Sequence, residues 1–368
     1  MSQPIYVTQP VLPALKEFIP YLEQIWENKI LTNGGPLHQQ LEGELCEYLG
    51  VEYISLYNNG TIALITALQA VDLKIGEVIT TPYTFLATAH AICWNNLTPV
   101  FVDVDPRTAN IDPQKVEQAI TDKTVAILPV HCYGIACDVE ALQTIAQKHK
   151  LKLIYDAAHA FGAKYKGQSL LNYGDLSAVS FHATKVFNTF EGGAIVCHSA
   201  EMKQRIDQLR NFGIANETTV NDIALNGKLS EVHAALGLLQ LKNIDQALQA
   251  RGKVDHRYRE LLAEVDGIRC MQRLHLEKDN YAYFPIVVSE PYPLSRDQLF
   301  EKFKQHHIFA RKYFYPLMTE LSVYQQYQAD TPQAKLLSEQ VLCLPMYPTL
   351  SAEDIYRIVQ VIKEESGQ

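Results

Sequence analysis

The spacing of apolar residues changes character along this chain. From about Glu52, short apolar runs of β-type residues alternate with helical patterns. The predicted strands are Tyr53–Leu56, Val78–Thr81, Pro99–Val104, Val125–Val130, Lys152–Tyr155, Ala178–Phe181 and Ala194–His198. Several, such as AILPV and LKLIY, are apolar without alternation, the pattern of strands covered on both faces. Helical segments lie between them, among them Val139–Lys150 with Asp138 as its N-cap. Alternation of strand and helix predicts an α/β fold with a mostly parallel central sheet.

The pattern shifts after about Ser230. A long helical stretch is predicted from Glu231 through Val265, then a strand, YAYFPIVV, over Tyr281–Val288. Ser295 with Gln298 predicts a capping box opening a helix through Gln305, and Ser351 with Asp354 opens a last helix. The expected organisation is a large domain over 1–250 and a smaller α+β domain over 251–368. The large domain begins with an irregular arm, 1–36, ended by the turn-rich LTNGGP, Leu31–Pro36.

Composition narrows the function. Hydrophobic residues at 47% and charged residues at 20% are ordinary for a globular protein. A net charge of −9 without a long Lys/Arg run argues against nucleic acid as the main partner. Seven scattered cysteines with no CxxC pair argue against a disulfide framework or a zinc site. The nearest approach to a ligand cluster, His131, Cys132 and Cys137, matches no standard metal spacing. No basic leader precedes an apolar core and no apolar stretch spans a bilayer, so a cytoplasmic protein with no membrane partner is expected.

In open α/β sheets, ligands sit beyond the carboxyl ends of the strands. Asn58–Asn59–Gly60–Thr61 follows the first strand and opens an apolar helix. Gly60 permits close backbone approach, the helix N-terminus offers free N–H groups, and Thr61 adds a hydroxyl, a combination suited to phosphate. A glycine turn with a Thr N-cap explains the same residues without a ligand. Asp156 ends the strand LKLIY, with His159 three residues on; a carboxylate on a ring nitrogen keeps a pyridinium protonated. Ser180–Phe181–His182–Ala183–Thr184–Lys185 follows the next strand, and Glu191–Gly192–Gly193 comes soon after. A lysine among small and apolar neighbours is partly desolvated, which favours the neutral amine needed for a Schiff base. Phe85, in TPYTFLATAHA, is an aromatic placed to stack on a flat ring.

Taken in order, the GT-helix, TFxAT, DxAH, SFHxTK and EGGA motifs resemble the DegT/DnrJ/EryC1/StrS family of sugar aminotransferases. The resemblance runs from near LTNGGP to the C-terminal LPMYP, Leu344–Pro348. It implies the aspartate-aminotransferase-type fold (fold type I) and a homodimer using pyridoxal phosphate (PLP), with pyridoxamine phosphate as the intermediate form. On that resemblance Lys185 carries the cofactor and later shuttles the proton, Asp156 pairs with the pyridine nitrogen, and His159 contacts the ring hydroxyl. Phe85 stacks on the ring, and Gly60, Thr61 and Ser180 hold the phosphate. Asn226, in LNGKLSE, reaches the phosphate of the partner subunit's site. Arg311, Tyr313 and Tyr315, in ARKYFYP, are candidates for gripping the diphosphate of the substrate, unless they form a structural aromatic hairpin.

Two positions depart from the family pattern. Lys228 stands where the family usually has Arg, and an ammonium does not reproduce a guanidinium fork. Tyr155 stands where many relatives have Glu. HATKVFNTFEGGA resembles the branch that aminates C4 of dTDP-4-keto-6-deoxyglucose, with L-glutamate as donor and dTDP-4-amino-4,6-dideoxyglucose as product, feeding O-antigen lipopolysaccharide or antibiotic sugars. Amination at C3 or another position is the main alternative. A PLP-dependent sugar dehydratase of the same family would carry histidine in place of Lys185. A regulatory protein that kept the fold but lost activity would have no need of Lys185, Asp156 and His159 together.

Overall fold

The computed structural model describes residues 3–73, 75–273 and 276–366. Seven strands form the main sheet: β1 Tyr53–Tyr57, β2 Glu77–Thr80, β3 Thr98–Phe101, β4 Thr124–Ile127, β5 Lys152–Asp156, β6 Leu176–Ser180 and β7 Gly193–Cys197. Their order is β1-β7-β6-β5-β4-β2-β3. Every neighbouring pair is parallel except those of β7, which runs against both β1 and β6. Both faces are covered, as the continuous apolar runs require. Along β1, Ile54 and Leu56 enter one apolar cluster with Leu41 and Phe161. Tyr53 and Tyr57 enter the other, with Leu68 and Ile92. The predicted strands all fall on observed ones, with ends displaced by up to three residues.

Three antiparallel strands make a smaller sheet: β8 Ile268–Cys270, β9 Phe284–Val288 and β10 Val341–Leu344, with β9 in the middle. Helices Arg296–Gln305 and Ala352–Ser366 pack on it, through Leu299, Phe303, Ile355 and Ile358. The Ser295/Gln298 capping box is formed, and Ser351 accepts from the backbone N–H of Asp354 at 3.0 Å. Helix Ile244–Leu262 crosses position 250: Ile244 and Leu248 belong to the core of the large sheet, Val254, Tyr258 and Leu262 to that of the small one. Among the described residues no helix is long and apolar enough to cross a membrane.

Three expectations are corrected. The arm is not irregular: Leu15–Asn28 is an α-helix with Pro20 inside it, and Pro36–Leu49 follows. The first of these helices buries Ile25 and rests Phe18, Tyr21 and Leu22 on the main core. Ile5–Tyr6 pairs with Ile308–Phe309, so the chain begins on the smaller unit. The long stretch after Ser230 is two helices, Glu231–Lys242 and Ile244–Leu262, because Asn243 leaves helical geometry at φ −113°, ψ 4°. The strand expected from Tyr281 starts at Phe284. Tyr281 sits at φ 49°, its N–H held by Asp279 Oδ1 at 2.9 Å, and that turn is incompatible with pleated backbone.

LTNGGP opens helix Pro36–Leu49. The backbone N–H groups of Leu37 and His38 each donate to the buried carboxylate of Glu231 at 2.9 Å, which satisfies two orphan donors of the helix start. Gly35 makes this possible, since a Cβ there would lie 2.6 Å from Glu231 Cδ.

Candidate active site

Strand ends gather the chemistry. β5 ends in Asp156 and β6 in Ser180, and the segment after β1 delivers Gly60 and Thr61 to the same place. These residues line one cavity of about 330 Å³, together with Phe85, His159, Lys185, Tyr283, Tyr313 and Phe314.

The helix after β1 spans Gly60–Ala70, and its cap is Asn59, whose Oδ1 accepts from Ile62 N at 2.9 Å. Thr61 is therefore not the cap. Gly60 has no room for a side chain: a Cβ would meet Ser180 Cβ at 2.9 Å. Gly193 is equally constrained, because a Cβ would lie 2.7 Å from the Asn59 carbonyl oxygen. The result is a helix N-terminus pressed against the start of β7 with Ser180 and Thr61 beside it, a cradle whose donors suit a phosphate group.

Asp156 is 4% exposed. Its Oδ2 accepts from Thr88 Oγ1 at 2.7 Å and its Oδ1 from Ala158 N at 3.1 Å. Thr88 is in turn hydrogen-bonded to Thr84 at 2.8 Å. Burial raises the Asp156 carboxyl above its ordinary range, while the Thr88 and Ala158 bonds and the nearby Lys185 charge oppose the rise. A buried carboxylate with two donors and no ion-pair partner in contact suits a cationic ring nitrogen.

His159 Nδ1 accepts from Tyr133 N at 3.2 Å. The neutral ring then carries its proton on Nε2. Burial, and next the Lys185 charge, hold its pKa well below the usual histidine value, so the ring is a neutral donor. It packs against Tyr283, with centroids 4.7 Å apart, and lies parallel to Phe314.

Lys185 follows β6 in a tight loop, its N–H donating to His182 O at 2.9 Å. Its Nζ stands 6.0 Å from the Tyr283 ring centroid. Burial pushes the amine down to about 8, against the pull of Asp156. Near neutral pH a useful fraction is the nucleophilic free base.

Of the other expected positions, Phe85 lines the cavity and is 58% exposed. Tyr313 also lines it, whereas Arg311 and Tyr315 do not. Arg311 is tied to Cys343 by a backbone pair, and the Tyr315 ring lies 5.0 Å from the Arg296 guanidinium. Asn226 is exposed and does not line this chain's own cavity. Lys228 Nζ donates to Asn211 Oδ1 at 2.7 Å and lies over the Phe212 ring. Tyr155 stacks on His131, centroids 4.6 Å apart, whose Nδ1 accepts from Cys137 N. Sequence reasoning gave no role to Tyr283, Phe314, His182 and Glu191, which line the cavity, or to Thr88, which supports Asp156. Thr88 had a signal, lying one helical turn after Thr84 beside Phe85; Tyr283 and Phe314 come from distant segments and had none.

The arrangement offers an anion cradle, a buried carboxylate, a neutral imidazole donor and a depressed-pKa amine around one flat space. The donor set fits PLP: phosphate at the cradle, ring nitrogen at Asp156 and aldehyde carbon toward Lys185.

Comparison with known proteins agrees. The chain is 57% identical over 366 residues to dTDP-4-amino-4,6-dideoxy-D-glucose transaminase of Shigella dysenteriae, covering 99% of this chain and 100% of that one. Among solved structures it resembles DesI, determined in the presence of its TDP-sugar product, with a TM-score of 0.95 and 33% identity over 100% of this chain and 94% of that one. It also resembles Spr1654 of Streptococcus pneumoniae in its PLP form, with a TM-score of 0.91 and 26% identity over 99% of both chains. Residues 14–363 match the family model for DegT/DnrJ/EryC1/StrS aminotransferases. With the fold, the strand-end cavity and a full-length relative in accord, this chain belongs to the DegT/DnrJ/EryC1/StrS aminotransferase family.

Proposed function

We propose that the protein is a PLP-dependent aminotransferase that moves the amino group of L-glutamate to C4 of dTDP-4-keto-6-deoxyglucose, giving dTDP-4-amino-4,6-dideoxyglucose. The observation that carries this reading is full-length identity of 57% to a relative named for that transamination. Amination at C3 and dehydration are not favoured, the second also because Lys185 occupies the position where such relatives have histidine.

Bound PLP supplies an electron sink for the pair released when a C–H bond beside nitrogen breaks. Lys185 holds the cofactor through Nζ. Freed when the donor's amine takes its place, the Lys185 amine would take the α-proton of glutamate at Nζ and hold it for return. Asp156 keeps the ring nitrogen protonated, and Thr88 and Ala158 hold the carboxylate ionised despite its burial. His159, with its proton on Nε2, would donate to the ring oxygen. Phe85 would cover the ring face, and Gly60, Thr61 and Ser180 would hold the phosphate. Water would cleave the donor's C=N bond, releasing 2-oxoglutarate and leaving the nitrogen in the site; the keto sugar would then take up that nitrogen by the reverse steps, its C4 oxygen departing as water. Of the ARKYFYP residues, Tyr313 lines the cavity and is the one assigned to the sugar nucleotide.

The working unit is a cytoplasmic homodimer with shared sites, its product entering O-antigen or antibiotic sugars. Phe85 at 58%, Trp26 at 71% and Trp94 at 67% exposure support a second copy covering them, and Asn226, exposed here, is the residue to reach the partner's phosphate. Nuclear magnetic resonance of the product formed from L-glutamate and dTDP-4-keto-6-deoxyglucose tests the reading. Nitrogen at C4 with the glucose configuration is expected; nitrogen elsewhere, or loss of a hydroxyl without amination, contradicts it.

A further inference from the structure

A second cavity, of about 350 Å³, shares Lys185 with the first. It is roofed by Thr8–Pro13 and floored by the first turns of helix Ile244–Leu262. A constriction of about 10 Å³, lined by Thr8, Thr184, Tyr283 and Tyr313, has residues in common with both cavities.

Arg251 lines this second cavity and is 3% exposed. Its Nη1 donates to the carbonyls of Tyr281, Ala282 and Met346 at 3.2, 3.4 and 3.2 Å. Its Nε has no hydrogen-bond partner among the described residues. Among the described residues no carboxylate lies within ion-pair distance of it. Asp255, one turn further along the helix, is committed to Arg259 at 2.8 Å and Arg273 at 3.1 Å. Carbonyl dipoles offset part of the cost of burying a guanidinium, but they leave its charge uncancelled. Transamination as described makes no use of this charge. The remaining wall combines apolar surface from Val11, Leu12, Val186 and Ile244 with the amides of Asn188 and Asn243.

We propose that this cavity is a binding site for a small monocarboxylate, whose single negative charge balances Arg251 while its carbon chain lies on the apolar wall. A phosphate monoester, at −1.5 to −2, would leave surplus negative charge against one cation, and a dicarboxylate would do the same. The ligand would bridge the Thr8–Pro13 segment, the Lys185 loop and the helix carrying Arg251. The proposal stands apart from the transaminase reading, since it uses neither donor nor sugar.

Calorimetric titration of the PLP-loaded protein, with dTDP saturating the nucleotide site, tests it with butyrate and its neutral isostere butyramide. Butyrate is expected to bind once per chain and butyramide at least tenfold more weakly. Ala247→Phe, which fills the cavity and leaves the carbonyl bonds of Arg251 in place, is expected to abolish butyrate binding; Ala250→Leu serves if that variant does not fold. No butyrate binding to the unmodified protein overturns the proposal, as does binding that survives a filled cavity. Equal binding of butyramide also overturns it, because Arg251 would then be only a staple between helix and strand.

Discussion

Thr88→Val isolates the electrostatic support of the ring-nitrogen partner. The change is nearly isosteric and removes the 2.7 Å donor from the buried Asp156 carboxylate. Thr84 loses its partner as well, at 2.8 Å, but Thr84 is a neutral hydroxyl. A hydrogen bond to a charged group contributes about 1.5–3 kcal/mol. That loss falls on the ionised form of Asp156, which burial already disfavours, so the carboxyl pKa rises further. At about 1.4 kcal/mol per tenfold, the half-reaction with L-glutamate slows by about ten- to a hundred-fold. Stopped-flow absorbance of the bound cofactor measures it in a single turnover. Thr88→Ser, which keeps the oxygen, restores most of the rate, a rescue that simple packing loss would not give. A Thr88→Val rate within twofold of the unmodified protein, with cofactor fully bound, would refute this role.

Gly60→Ala places a Cβ 2.9 Å from Ser180 Cβ; overpacking of that kind costs about 1–3 kcal/mol, so PLP retention on dialysis drops by about ten- to a hundred-fold, and normal retention would remove Gly60 from the phosphate site. Glu231→Ala strips the acceptor from two backbone donors at the start of helix Pro36–Leu49; unfolding in urea is expected to show a loss of about 2–4 kcal/mol, and a loss under about 0.5 kcal/mol would contradict it. Glu42, beside His38, Arg210 and Lys203, has its carboxyl held far below the usual value of 4.5 by those partners despite burial. A depressed folded-state pKa means its stabilisation is complete above about 4.5 and is lost as pH falls toward the folded value. Glu42→Gln should therefore flatten the decline of melting temperature below pH 4.5, and an unchanged slope would show that the cluster does not couple to folding.

The strands that carry Asp156 and Ser180 were legible because burial on both faces writes continuous apolar runs, and strand ends in such sheets are where ligands lie. Lys185, Asp156, His159, Gly60, Thr61, Phe85 and Ser180 therefore converge on one cavity as their order in the chain suggested. Local signals sufficed for caps at Asp138 and Ser295 as well. Long-range pairing did not show. Helix Leu15–Asn28 was hidden by Pro20, a residue that reads as a helix breaker. The break at Asn243 carries neither Gly nor Pro, and Asn is the weaker marker of a helix end. Tyr283 and Phe314 reach the cavity by folding the smaller sheet and the segment after it over the strand ends, which no local pattern encodes. Arg311 does not line that cavity and its backbone is paired to Cys343, and charge in an aromatic segment says nothing of direction.

The most direct test of the central claim is the absorbance spectrum of the purified protein with PLP, recorded alone, after L-glutamate, and after dTDP-4-keto-6-deoxyglucose, with Lys185→Ala alongside. The account predicts a yellow band that glutamate bleaches and the keto sugar restores, and neither change in the variant. Absence of the yellow band from the unmodified protein, or the same bleaching and recovery at near-normal rate in Lys185→Ala, would contradict it.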